Sequence, residues 1–118
     1  RIFFVYFLSH PSGSVLYVGI TNDLVRRYHE HQNSFGFAGK YGCSELIYYE
    51  CFTNIIQAIE REKQLKRWSR LKKERLIRLK NPDRLPLDIE ALANYTREDF
   101  LEHKGFALNA SAYIGFKY

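Results

Sequence analysis

Tyr6 and Tyr17 stand eleven positions apart, on either side of the turn-forming cluster His10-Pro11-Ser12-Gly13-Ser14. If the turn centres on Pro11-Ser12-Gly13, paired residues have indices summing to about 23–24, which sets Tyr17 opposite or next to Tyr6. Two phenols brought together this way can hold or pass a proton, although ordinary strand tyrosines meet the same pattern. Further along, Leu24, Arg27 and His31 fall at i, i+3 and i+7, so a helix would present them on one face. Arg27 offers a rigid, permanently charged fork suited to phosphate oxygens, and His31 a group that exchanges a proton near neutral pH. A solvated basic helix, with Arg26, His29 and Glu30 beside them, is the alternative. Glu62 has Ala58, Ile59 and Leu65 at −4, −3 and +3, so its carboxylate emerges from an apolar stripe and needs a partner. A hard divalent cation such as Mg²⁺ suits a lone carboxylate, since it fills its shell with waters and phosphate oxygens. A salt bridge from Glu62 to Arg27 or Lys66 is the competing assignment. Glu60, with Lys63 at i+3, reads as a surface ion pair of little weight.

Positioning those side chains requires strands under the tyrosines and helices under the rest. Ile2–Leu8 and Val15–Ile20 are β-branched and aromatic and are separated by turn formers, which predicts an antiparallel hairpin. Thr21-Asn22-Asp23 supplies N-cap candidates for a helix from Leu24 to about Gln32–Ser34. Phe35–Ser44, with three glycines, reads as a looser stretch. Leu46–Phe52 predicts a third strand, and Thr53-Asn54 caps a long helix running to about Arg70. Asn81-Pro82-Asp83 and Leu85-Pro86 end any helix before them. Leu92–Lys104 is expected to form a short helix, and Gly105–Tyr118 a strand or an ordered tail.

The chain has 118 residues, 46% of them hydrophobic and 16% aromatic, which suffices for one core and excludes a separate cofactor domain. Cys43 and Cys51 are too few for a four-ligand zinc site or a disulfide framework, so a reducing, cytoplasmic setting is expected. The longest apolar run, Ile2–Leu8, is far short of the roughly 20 residues needed to cross a bilayer. Net charge is +5, but its distribution is uneven. Residues 1–80 hold 14 basic against seven acidic side chains, whereas 81–118 hold four against six. Ten of the basic residues lie within 61–80, where only Glu62 and Glu74 oppose them. Like charges at helical spacing repel, so this excess suits a phosphate backbone as partner, with a solvated helix face as the alternative. Lys40, Lys63, Lys66, Arg67, Arg70, Lys72 and Lys73 are the candidate nucleic-acid contacts.

Taken in order, Phe4-Val5-Tyr6, Tyr17-Val18-Gly19, Leu24-x-x-Arg27-x-x-x-His31 and Glu62 resemble the GIY-YIG nuclease family. Leu16–Leu24, Lys40-Tyr41-Gly42, Ala58–Lys66 and Trp68-Ser69-Arg70 are similar to its small stand-alone bacterial members. The resemblance covers about residues 2–83, with Phe4 in place of the first motif's glycine. It implies an α/β fold, a small three-stranded antiparallel sheet flanked by helices, over residues 1–87. Residues 88–118 would be a C-terminal extension of unknown role packed on the same body. It further implies an endonuclease that hydrolyses DNA phosphodiester bonds with Mg²⁺ or Mn²⁺, leaving 5′-phosphate and 3′-hydroxyl ends. Glu62 would be the metal ligand and Arg27 the phosphate-stabilising arginine. Tyr6 and Tyr17 would be paired active-site tyrosines, one of which helps activate water. His31 would assist proton transfer or orient a tyrosine, and Asn81 would match the family's late asparagine. A phenol needs a nearby cation to act as a base at pH 7, and Arg27, Lys40 or the metal are the available ones. Phe35, Phe37 or Tyr41 could stack unpaired bases, so single-stranded and duplex DNA both remain candidate substrates. A non-catalytic nucleic-acid-binding module on the same fold is the alternative.

Overall fold

Three strands rich in aromatic and β-branched residues assemble the sheet, and the computed structural model describes residues 1–33 and 37–102. They are β1 (Phe3–Ser9), β2 (Leu16–Thr21) and β3 (Glu45–Phe52), in the order β2-β1-β3 with both pairings antiparallel. β1 lies in the centre and is buried from Phe4 to Ser9, which is why its sequence is apolar without alternation. Helices cover both faces: α1 (Leu24–Gln32), a short α2 (Phe37–Lys40), α3 (Ile55–Arg67), α4 (Arg70–Lys80), α5 (Ile89–Ala93) and α6 (Arg97–Leu101). This is the α/β architecture expected of the sequence. Among the described residues, no helix is long and apolar enough to cross a membrane.

The hairpin register differs from the expected one. The turn closes with the His10 amide on the Val15 carbonyl and Gly13 in the left-handed region. Pairing is therefore Leu8 with Tyr17 and Tyr6 with Gly19. Tyr17 is thus the diagonal neighbour of Tyr6 on one face, two residues from the position directly across. That face, the tyrosine face, carries α1 together with the segment that contains α5 and α6. Phe100 meets Phe4 and Tyr49 edge-on at 5.0 and 5.9 Å, and Leu92 is buried in the core. Where one helix was expected over Leu92–Lys104, Asn94 closes α5, and Thr96 with Asp99 opens α6 through a capping box. Lys104 and the expected strand or tail over Gly105–Tyr118 lie outside the described residues.

The opposite face carries α3 and α4. The helix expected to reach about Arg70 ends at Arg67, and the basic run over 61–80 is divided between two helices, because Trp68 is extended and the Ser69 hydroxyl caps α4 by accepting from the Lys72 amide. Two of its ten cations also point inward. Arg61 forms a two-pronged pair with Glu50 of β3, at 2.8 and 3.0 Å, and the Tyr48 hydroxyl donates to the same carboxylate. Lys80 is buried with its ammonium 4.9 Å from the centre of the Tyr48 ring. Burial lowers Lys80 to about 8, against the opposing pull of Glu50.

Removing one partner of a buried ion pair strands the other. Arg61→Met and Glu50→Gln are each expected to lower stability by about 3–5 kcal/mol in urea unfolding. The double variant is expected to lose clearly less than the two losses together, and simple additivity would contradict the pairing.

Candidate active site

Gly19 lies directly across from Tyr6, and a Cβ there would sit 2.3 Å from the Tyr6 hydroxyl oxygen and 2.4 Å from its ring carbon. The tyrosine ring therefore lies over bare backbone, and glycine is the residue that leaves room for it. Diagonal pairing brings the Tyr6 and Tyr17 ring centres to 6.3 Å. Immediately after β2, Asp23 caps α1 by accepting from the Arg26 amide, and Leu24 anchors the helix in the core. One and two turns later, Arg27 and His31 follow on the same face. The Tyr6 hydroxyl is 2.7 Å from His31 Nε2, and the imidazole meets the Tyr17 ring edge-on at 5.0 Å. Arg27 hydrogen-bonds to the Tyr6 hydroxyl and, at 3.2 Å, to Glu30.

Electrostatics separate the members of this cluster. Tyr6 is 1% exposed. Burial first, then the neighbouring Tyr17, drives its phenol well above the usual range despite the hydrogen bond and charge of Arg27. The expected cation is in place, but desolvation outweighs it, so Tyr6 keeps its proton. His31 is pushed below its ordinary value, first by burial and then by the Arg27 charge. A protonated phenol beside a neutral imidazole makes Tyr6 the donor to Nε2, an assignment made from the protonation states. Burial pulls Arg27 down, yet its hydrogen bonds to Tyr6 and Glu30 leave it raised and firmly charged. Tyr17 is only half-buried, so of the two phenols it is the one open to solvent.

The remaining candidates occupy other places. Glu62 sits on α3 with its side chain 17% exposed, and it pairs with Lys66 at 3.2 Å, one of the partners expected for it. Among the described residues, no group of three His, Cys, Asp or Glu side chains is arranged to hold a metal ion. Glu62 still fits Mg²⁺ or Mn²⁺, because such ions take one or two carboxylates and otherwise waters and substrate oxygens. Its present partner is also an exposed, displaceable ammonium. Asn81 is buried, with its carboxamide donating to the carbonyls of Ile47 and Leu85 and accepting from the Leu85 amide. The shift in pairing between Phe7 and Leu8 leaves Ile47 out of the β1–β3 ladder, and Asn81 satisfies its carbonyl. These bonds use both amide protons and one of the two acceptor positions on the carbonyl oxygen.

Lys63, Lys66 and Arg67 are exposed on α3, and Lys72 covers the Trp68 ring at 4.1 Å. Lys73 is half-buried, and Arg70 is spent on Glu74 and on the carbonyls of Gly13 and Ser14. Lys40 lies against the exposed Tyr41 ring, while Phe35 and the Phe37 side chain fall outside the described residues. Gly19 belongs to the site and was missing from the candidates. A glycine inside a strand pattern, the sign of close backbone approach, was the available signal.

The GIY-YIG catalytic domain matches residues 2–75. A UPF0213 protein of Bacillus pumilus is 33% identical over 99 residues, covering 80% of this chain and 93% of its own. One from Haloquadratum walsbyi is 36% identical over 67 residues, covering 55% of this chain and 75% of its own. The solution NMR structure of a UPF0213 protein from Bacillus halodurans is similar at 31% identity, with a TM-score of 0.44, over 68% of this chain and 86% of that one.

Because folding lowers the proton affinity of His31, its neutral form contributes stability that is complete above the unfolded value, about 6.5. That contribution is lost as pH falls from there through the folded value, where the unfolded chain binds the extra proton. The urea midpoint should accordingly drop as pH is lowered from 7 to 5, and His31→Gln should flatten the drop. Parallel profiles for the two proteins would refute the burial of a neutral imidazole.

Proposed function

The chain belongs to the GIY-YIG family, and from that premise we propose that it is a divalent-metal-dependent endonuclease that hydrolyses phosphodiester bonds in DNA. The convergence of Tyr6, Tyr17, Arg27 and His31 on the tyrosine face carries this reading. Arg27 is charged, partly solvent-facing and held at its base by Tyr6 and Glu30, so its free edge suits the oxygens of a phosphodiester. Charge that builds on those oxygens during displacement is best stabilised by a donor already in place. Tyr17 presents its hydroxyl to an incoming water. Tyr6 remains protonated and acts through His31, fixing the imidazole against which the Tyr17 ring rests. Mg²⁺ or Mn²⁺ held by Glu62, once Lys66 has moved to a substrate phosphate, would supply further positive charge at the phosphate. A strand lying over β2, the edge strand that bears Tyr17, would meet both α1 and α3. Attack on phosphorus with departure of the 3′ oxygen leaves 5′-phosphate and 3′-hydroxyl ends.

One observation favours a second reading, a non-catalytic nucleic-acid-binding module. Glu62 is engaged by Lys66 on the helix layer opposite the tyrosines. Labelled single-stranded and duplex DNA, incubated with Mg²⁺ or Mn²⁺, separate the two. The endonuclease reading expects cleavage that EDTA abolishes and that Glu62→Ala and Arg27→Ala each reduce about 10²-fold or more. Salt-sensitive binding of both DNA forms without cleavage would establish the module instead.

A further inference from the structure

The hairpin turn, α4 and the chain that follows it line an open, shallow cavity of about 580 Å³. It lies at the hairpin end of the sheet, where β1 ends and β2 begins. Its wall is unusually rich in guanidinium groups. Arg84 donates through two nitrogens to Glu74, at 2.7 and 2.9 Å, and through the third to the Ser9 hydroxyl at 3.0 Å. Arg70 reaches the same Glu74 carboxylate at 2.9 Å and also donates to the Gly13 and Ser14 carbonyls. One carboxylate thus serves two cations, and neither Arg84 nor Glu74 is more than one-fifth exposed. Arg84 also adopts a left-handed backbone, φ +53°, which a non-glycine residue holds only where its surroundings enforce it.

Arg78, two turns beyond Arg70 on the same helix face, lines the cavity too and uses one nitrogen on the Pro82 carbonyl at 3.1 Å. Asp83 is exposed at the rim and offsets only part of this charge. The excess is felt nearby: burial, reinforced by the charge of Arg70, holds Lys73 below its ordinary value. A cavity walled by three guanidiniums, two of them fixed in place, suits an anion with several acceptor oxygens.

We propose that this cavity seats a phosphate of the bound nucleic-acid strand, one that flanks the phosphate held at Tyr17 and Arg27. Arg78 supplies the free donors, and the Arg70–Glu74–Arg84 cluster supplies a preset positive wall. The proposal rests on the nucleic-acid reading above and extends it, because Arg84 lies outside the basic run and Arg78 is not among its candidate contacts. It also gives the strand a direction, from the tyrosine face past the hairpin turn onto α4. The ligand chemistry is that of a phosphate ester or phosphate ion, so a small free phosphate must be told apart from a strand.

Arg78→Ala is the informative variant, since Arg84→Ala would strip Glu74 of its partner and loosen the turn. Arg97→Ala, on the exposed surface of α6, is the control. Oligonucleotide affinity is measured over a range of salt for all three proteins, and amide NMR signals of Ser12 and Gly13 are followed in the wild type with inorganic phosphate. Arg78→Ala should weaken binding several-fold regardless of base sequence and lower the slope of log K against log salt by about 0.7–0.9, the loss of one phosphate contact. Inorganic phosphate should shift the Ser12 and Gly13 signals and compete with the oligonucleotide. If oligonucleotides bind but Arg78→Ala behaves like Arg97→Ala, the seat is wrong and the nucleic-acid reading stands. If phosphate occupies the cavity while no oligonucleotide binds, the cavity serves a small phosphate compound and the strand assignment falls with the reading beneath it.

Discussion

The packing of Tyr6 across Gly19 is the constraint on which the tyrosine face depends. With 2.3 Å between the hydroxyl oxygen and the place a Cβ would take, this cross-strand pair admits no other residue at Gly19 without displacing the ring. The close approach has three consequences. It directs the Tyr6 hydroxyl toward His31, buries the phenol so that it keeps its proton, and sets Tyr17 beside the same imidazole. A single missing side chain on β2 thereby makes the two tyrosines unequal. One is locked into the interior network, and the other is left half-buried at the surface.

The opposite side of the sheet holds this arrangement still. Glu50, Arg61, Tyr48 and Lys80 form a largely buried polar layer that ties β3 to α3 and α4. Such a layer is costly unless its charges are matched; the guanidinium and carboxylate match each other, and burial lowers the Lys80 ammonium to about 8. At the hairpin end, Arg70, Glu74 and Arg84 bind the turn to α4. The sheet is therefore tied to its helices both through β3 and at the β1–β2 turn.

Much of this was legible in the chain because it follows local rules. The strand runs, the capping residues Asp23 and Asn54, and the shared face of Leu24, Arg27 and His31 all follow from short-range periodicity and turn chemistry. What escaped depends on long-range partners. The hairpin register shifted because the turn spans Pro11–Ser14 with Gly13 in the left-handed region, and composition does not distinguish that closure from a tighter one. Arg61 and Lys80 look like members of a basic surface until Glu50, on a strand remote in sequence, turns them inward. Ser69 carried the signal for the break between α3 and α4, but the apolar and basic pattern on either side masks it. The bond from Asn81 to the Ile47 carbonyl depends on an irregular pairing in β3 that no local pattern announces.

The inequality of the two tyrosines is the central claim, and single-turnover cleavage rates of Tyr17→Phe and Tyr6→Phe under saturating divalent metal test it most directly. Tyr17→Phe should lose about 10²-fold or more, the range for removing a group that handles the proton of the attacking water. Tyr6→Phe, which keeps the ring over Gly19 and gives up only the hydroxyl's contacts with His31, Arg27 and Tyr17, should retain most of the rate. Loss of activity in Tyr6→Phe with Tyr17→Phe left active would contradict the assignment of the buried phenol to positioning and of the exposed one to chemistry.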